Sequence, residues 1–211
     1  MKIVFTDIPM KRELNAFRYK TAGGTVTKYE KEVIFPVSAV LAESMQKGEK
    51  VRIVLLAKED PEGNSGVNVG IFQKECAEVN KNIGADIEYV TLATPFVETR
   101  EVHDNLLRDM VKQLVPDAEV IGDITYGPKS LPILMFCVFN FAEKYFGAEI
   151  KNIVYGKVNF VDDGTGTGKT KPVDPVLYDL TSLYYLNSLT NVMDYNLPEE
   201  AVEALDTLLS F

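Results

Sequence analysis

The chain has 211 residues, 46% hydrophobic and 25% charged, which is typical of one soluble globular domain with at most a small appendage. The net charge of −9 argues against a protein that wraps long DNA or RNA, because such proteins usually carry a basic surface. No apolar run approaches the ~20 residues that span a bilayer, the N-terminus does not resemble a signal peptide, and the two cysteines form neither a disulfide framework nor a metal site. We therefore expect a cytoplasmic protein with no metal, no cofactor and no membrane partner.

Strand-like and helix-like segments alternate along most of the chain. In chain order, the pattern predicts a strand at 2–8, a polar extended excursion at 16–34, a helix from Pro36 to Gly48, a strand at 51–57, a helix at 66–83, a strand at 87–92, a helix capped by Thr99, a strand at 118–124, a helix at 131–146 and a strand at 150–155. Strands at 158–161 and 173–177 then predict a hairpin, and a helical tail follows. This alternation predicts an α/β fold, with a Rossmann-like, mostly parallel sheet, helices on both faces, and a C-terminal hairpin and helical tail.

Three polar segments follow predicted parallel strands at their carboxyl ends. They are Thr6-Asp7-Ile8, Thr94-Pro95-Phe96 and the turn Thr125–Ser130. Ligands of doubly wound sheets bind beyond the carboxyl ends of the strands, where the strand order reverses. We therefore expect these three segments to lie at one rim of the sheet.

The turn at 125–130 has the composition of an anion site. Gly127 lets backbone N–H groups approach a ligand, and Ser130 and Pro132 are typical of a helix N-cap and first turn. Lys129 adds a cation and Thr125 a hydroxyl group. An ordinary strand–turn–helix connection has the same pattern, so physics alone leaves both interpretations open.

The amino-acid sequence of this segment resembles the signature of a known family. Residues 123–132, Asp-Ile-Thr-Tyr-Gly-Pro-Lys-Ser-Leu-Pro, resemble the signature of CARF domains, the CRISPR-associated Rossmann-fold sensors of type III CRISPR systems, almost residue for residue. Tyr126 departs from the signature, because many members carry His there. Residues 176–181 also resemble a segment of the subfamily fused to HEPN ribonucleases, but the HEPN Arg–His motif is absent, since Arg100 lies too close to His103, the only histidine.

The resemblance implies a function and a division of the chain. CARF domains form two-fold dimers that bind cyclic oligoadenylate second messengers in antiviral signalling, and the tetra-adenylate ring is the favoured ligand here. We expect a ligand-sensing domain over 1–190 and a C-terminal helix or linker toward a missing effector domain over 191–211. The resemblance implies that the turn holds the phosphate and ribose of the ligand. The segments at 6–8 and 94–96 would line the other side of the ligand. The expected ligand-binding residues are Thr6, Asp7, Ile8, Thr94, Thr125, Tyr126, Gly127, Pro128, Lys129 and Ser130.

Two alternatives stay open. One is a ring nuclease that cleaves cyclic oligoadenylate, with Lys129 stabilising charge and no histidine base; its other catalytic residues are unknown. The other is a Rossmann-like binder of a mononucleotide.

Three further features have ordinary interpretations beside functional ones. The aromatic residues Phe17, Tyr19 and Tyr29 either pack beneath the excursion or stack on a base, with packing favoured. His103 is expected on a solvated helix surface, far from the rim. The segment 164–170 resembles a phosphate-binding P-loop, but its first glycine is replaced by Asp163, which favours a plain turn.

Overall fold

The computed structural model describes residues 1–22, 27–162, 164, 170–195 and 197–210. The chain divides into two compact units, Met1–Thr181 and Ser182–Phe211, whereas the sequence analysis placed the change at residue 190. Most of the P-loop-like segment, residues 165–169, lies outside the described residues, as does Asp163. No helix in the described ranges is long and apolar enough to cross a membrane.

A seven-stranded, mostly parallel sheet forms the centre of the first unit, as far as it is described. The strands are β1 (Lys2–Ile8), β2 (Lys20–Ala22), β3 (Lys50–Glu59), β4 (Asp86–Pro95), β5 (Glu119–Asp123), β6 (Glu149–Asp162) and β7 (Thr170–Asp179). Their order across the sheet is β2-β7-β6-β5-β1-β3-β4, and β6–β7 is the antiparallel pair among these strands. The helices are α1 (Pro36–Ser44), α2 (Asn64–Asn80), α3 (Arg100–Val111), α4 (Ser130–Phe146), α5 (Thr181–Val192) and α6 (Pro198–Leu209). The α/β, Rossmann-like fold expected from the sequence is confirmed.

Helices cover both faces of the sheet. Helices α1 and α2 contact each other and share one core with Val4 of β1, whereas α3 and α4 contact each other, and Phe139 of α4 lies 6.2 Å from Phe5. Successive residues of a strand point to opposite faces, so Val4 and Phe5 mark the two layers. Because β1 is covered on both sides, all seven of its residues are buried, both the apolar run at residues 3–5 and the polar Lys2, Thr6 and Asp7.

The strand order reverses between β1 and β5. From β1 the chain moves outward through β3 and β4, then crosses back to β5 on the other side of β1, where Thr6 pairs with Asp123. The carboxyl ends of β1, β4 and β5 therefore lie at one edge, as expected. A crevice between the segments that follow β1 and β5 is the usual ligand position in such sheets.

Strand β6 is longer than the sequence pattern indicates. The two strands expected at 150–155 and 158–161 form one strand, with a register shift between Lys157 and Asn159. Asp123, the last residue of β5, pairs with Val154, so the remainder of β6 extends past β5 and pairs with β7 as a projecting arm.

The segment after β1 is held by contacts with α2 and with Val33. Asn68 donates hydrogen bonds to the carbonyl groups of Pro9 (2.7 Å) and Lys11 (2.9 Å), and Phe17 and Val33 exchange two backbone bonds of 2.9 Å. These contacts fix residues 9–19 across the carboxyl edge of the sheet.

The second unit presents apolar side chains to solvent. None of the described residues of α6 is buried, and α5 and α6 line a groove of about 720 Å³. Its apolar lining residues are Leu183, Tyr185, Leu186, Leu189, Val192, Leu208 and Leu209.

Candidate ligand site

The turn after β5 is anchored by buried polar contacts. Thr6 Oγ1 donates to Asp123 Oδ2 (3.2 Å), and the Thr125 backbone N–H donates to Asp123 Oδ1 (2.9 Å). Thr125 Oγ1 accepts from the backbone N–H of Gly156 (2.9 Å). Burial raises the pKa of Asp123 despite these donors. The turn is therefore tied to both neighbouring strands, β1 and β6.

Gly127 lies directly above Asp7. A Cβ atom on Gly127 would stand 1.8 Å from Asp7 Oδ2, and its φ of +88° is one that residues with a side chain rarely adopt. The Asp7 side chain is buried, and Oδ2 has no hydrogen-bond partner among the described residues. Burial, and secondarily the neighbouring Asp123, raise the pKa of Asp7 well above its ordinary value, which favours the neutral carboxylic acid.

The segment Thr6-Asp7-Ile8 therefore supports the turn from below. All three residues are almost completely buried, at 0%, 1% and 1% exposure. The expectation that their side chains line a ligand stays a prediction: all three are buried, and Asp7 lies beneath Gly127 of the turn.

Asp7 predicts a pH dependence of stability. Its folded-state pKa is raised, so the free energy of unfolding should fall as pH rises above the ordinary value of 3.8 and until the folded pKa is passed. Asp7→Asn removes this titration. As pH rises through this range, we expect the free energy of unfolding of the variant to increase relative to that of the parent, by about 1.4 kcal/mol for each pH unit. Urea unfolding at several pH values measures the difference.

Asp60→Asn is a control of opposite sign. Backbone N–H groups, that of Ser65 first, lower the pKa of Asp60, so its contribution is present above the ordinary pKa and is lost as pH falls. As pH rises, the free energy of unfolding of the parent should therefore increase relative to that of Asp60→Asn. Parallel stability curves for the parent and Asp7→Asn would contradict the assignment of Asp7.

Tyr126 packs into the protein. Its hydroxyl donates to the carbonyl of Ile34 (2.9 Å), and its ring meets Phe35 edge-on at 6.1 Å. Burial raises the pKa of Tyr126 above its ordinary value. Its hydroxyl is therefore unsuited to accept a proton at neutral pH.

Lys129 and Ser130 begin helix α4 in a way that differs from the expected cap. Lys129 occupies the N-cap position without a side-chain capping bond, and Ser130 is the first helical residue. The Ser130 N-cap was therefore wrong. Lys129 is exposed and has no ion pair within the described part of the chain. The positive end of the helix dipole repels the Lys129 cation. An anion bound there would be attracted by both the lysine and the dipole.

Glu98 contacts the first residue of helix α4. The Ser130 hydroxyl donates to Glu98 Oε2, His103 Nε2 lies 2.8 Å from the same oxygen, and Lys58 Nζ lies 3.5 Å from Oε1. The Ser130 hydrogen bond is the main cause that lowers the pKa of Glu98. The expected remote position of His103 was wrong, because this residue is one side chain away from Ser130.

A cavity of about 310 Å³ lies at the carboxyl edge beside the turn. Its lining comes from the segment after β1, the start of the turn and the projecting part of β6. The lining residues are Lys11, Glu13, Leu14, Asn15, Phe17, Tyr19, Thr125, Tyr126, Tyr155, Gly156, Lys157, Val158 and Phe160.

The cavity and the expected binding set overlap at Thr125 and Tyr126. Gly127, Pro128, Lys129 and Ser130 continue the same turn outside the cavity, and Thr94 lies at the end of the edge strand β4, two strands from β1. Sequence reasoning missed the segment after Ile8 and the β6 residues. The position of residues 9–15 directly after β1, a strand that flanks the reversal of strand order, was the signal that could have found the first group.

Neither a metal cluster nor a known relative identifies this site. The described residues hold no group of three or more His, Cys, Asp or Glu side chains that could bind a metal ion. No family model matches the chain, and no curated protein matches it.

Proposed function

We propose that the protein is a dimeric sensor that binds a cyclic oligoadenylate, with cyclic tetra-adenylate as the favoured ring, in type III CRISPR antiviral signalling. One observation carries the proposal. The segment that resembles the CARF signature, residues 123–132, begins at the last residue of β5, beside the point where the strand order reverses. A sequence resemblance and the ligand position expected for the fold thus coincide.

The chemistry of the turn supports an anionic ligand. Lys129 supplies an exposed cation, Gly127 exposes its backbone, and α4 directs its first N–H groups toward the same end. The rest of the chain is acidic, so this local cation selects a small phosphate group over long nucleic acid.

Helix α4 offers a surface for the dimer. Ile133 (68% exposed), Cys137, Phe141 and Tyr145 recur every fourth residue and form an exposed stripe. The helix starts in the turn, so two copies that packed along this stripe with the two helices parallel would bring their turns close together. A ring of repeated adenylates has rotational symmetry and suits two such half-sites.

The ring-nuclease alternative needs a proton acceptor or another activating group. The Tyr126 hydroxyl donates to Ile34, and the His103 ring contacts Glu98. Lys129 would stabilise charge in such a reaction. These contacts favour binding over rapid cleavage.

Stoichiometry and recovery of the ligand test the proposal. Titration calorimetry with cyclic tetra-adenylate should give one ring per two chains, and chromatography of the bound ligand should return the intact ring. One ligand per chain, with AMP binding as tightly, would support the mononucleotide binder instead. Recovery of linear product would identify a ring nuclease.

Glu98 should weaken ligand binding. Its carboxylate occupies the Ser130 hydroxyl and repels an incoming phosphate at a cost of about 1 kcal/mol, the value for unit charges roughly 4 Å apart in water. A two-fold symmetric ring would meet this repulsion in both chains, so we expect Glu98→Gln to bind cyclic tetra-adenylate about 30 times more tightly. Calorimetry measures the change.

Glu101→Gln is the matched control. Glu101 is an exposed carboxylate in the first turn of α3, three residues further along the chain. Its replacement changes the net charge equally but removes no contact with Ser130. Equal gains in the two variants would show a general charge effect and contradict competition by Glu98.

A further inference from the structure

We propose that the cavity beside the turn is a nucleobase pocket that takes one adenine of the bound ring. The identity of the ring rests on the proposed function, whereas the argument for a planar aromatic ligand rests on the cavity. No cavity residue besides Thr125 and Tyr126 belongs to the signature segment, so the resemblance does not assign this pocket.

The position of the cavity supports a ligand role. Residues of the segments that follow β1 and β5 line it together, and these two segments flank the reversal of strand order. Thr125 lines the cavity and also begins the turn that leads to Lys129. A base in the cavity would therefore continue into a sugar and phosphate at the turn.

The inner wall of the cavity is aromatic and held in place. Tyr19 is 8% exposed and meets Phe17 edge-on at 6.2 Å. Tyr126 is fixed by its bond to Ile34, and Tyr155 stacks on Tyr178 with ring centres 6.4 Å apart. Such preorganised aromatic walls suit the flat face of a base.

The mouth of the cavity is cationic, with one exposed aromatic ring. Phe160 is 54% exposed although it lies in a strand, which leaves a ring face open to stacking. Lys11 and Lys157 are exposed, and neither forms an ion pair with a described residue. With Glu13 as the one acidic residue of the lining, the local charge is positive in a chain of net charge −9.

The volume limits the occupant to one nucleoside-sized group. At about 310 Å³ the cavity is at the lower end of the range of small-molecule sites, which runs from roughly 300 to 1,000 Å³. A cyclic tetra-adenylate could not enter whole. Each chain of a dimer would therefore take one base of the ring into its cavity.

Phe160→Ala tests the pocket, with Val161→Ala as control. Both residues are exposed on β6, and Val161 does not line the cavity. Because both chains would lose a base-stacking contact, we expect Phe160→Ala to weaken cyclic tetra-adenylate binding by about 30-fold to 10,000-fold, and Val161→Ala to leave it unchanged. Far-ultraviolet circular dichroism checks that both variants fold.

Adenosine separates this inference from the proposed function. Saturation-transfer NMR with millimolar adenosine should show base contacts that Phe160→Ala abolishes and Lys129→Ala retains, since adenosine has no phosphate. If the parent binds adenosine in this way but not the ring, the pocket stands and the proposed function fails. If the ring binds equally to the parent and Phe160→Ala, the pocket is refuted and the function stands. Absence of both kinds of binding would overturn both.

Discussion

Replacing Lys129 with alanine should weaken binding of cyclic tetra-adenylate by two to four orders of magnitude. Lys129 is the exposed cation of the turn, without an ion pair in the described part of the chain. A hydrogen bond to a charged group contributes about 1.5–3 kcal/mol, and a two-fold symmetric ring would lose this contribution twice, or about 3–6 kcal/mol. Calorimetry at fixed salt measures the change, because phosphate binding depends on ionic strength.

Two controls make this result specific. Lys129 occupies the N-cap of α4, where a cation is unfavourable, so its removal should not reduce the free energy of unfolding. Lys47→Ala removes the same charge from the turn before β3, at the opposite edge of the sheet, and should leave affinity within about two-fold. Unchanged affinity of folded Lys129→Ala would refute the assignment of the turn.

Replacing Gly127 with alanine should destabilise the fold by about 2–5 kcal/mol. The added Cβ would stand 1.8 Å from Asp7 Oδ2, and the backbone φ of +88° is strained for any residue with a side chain. Overpacking typically costs about 1–3 kcal/mol, and a left-handed backbone costs a further 1–2 kcal/mol or so. Urea unfolding measures the loss.

Gly70→Ala is the matched control, because Gly70 lies in the interior of α2, has no atom outside the helix's own backbone within 4 Å of its Cβ position and lacks a positive φ. It should stabilise the protein by about 0.5–1 kcal/mol. A double variant that also carries Asp7→Ala should recover part of the loss, since it removes the clash but keeps the backbone strain. If Gly127→Ala were as stable as the parent, the turn would not lie against the side chain of Asp7.

The fold could be predicted from the sequence because its signals are local. Buried parallel strands need continuous apolar runs, and β3 (residues 53–57) and the first half of β1 (residues 3–5) contain them. Thr99 caps α3 as expected, since its hydroxyl accepts the Val102 N–H from within the same turn (3.4 Å). The succession of strands and helices along the chain then follows from the alternation alone.

The details of the site depend on partners far apart in the chain. Ser130 has the chemistry of an N-cap, but Glu98, 32 residues away, takes its hydrogen bond. His103 is near the site for the same reason, because Glu98 joins the two. Phe17 and Tyr19 were weighed as packing or stacking residues; the two rings contact each other and line the cavity, and their stacking on a base stays a prediction. No local pattern contains such information.

The contact between Asp7 and Gly127 also sets a rule for recognising relatives of this chain. The two positions are 120 residues apart, yet the space beneath the turn admits either the carboxyl group at 7 or a side chain at 127. Relatives that keep the turn should therefore vary at the two positions together: a residue other than glycine at 127 should accompany glycine, alanine or serine at 7. Such covariation would connect sequences whose overall similarity is too low for alignment of the whole chain.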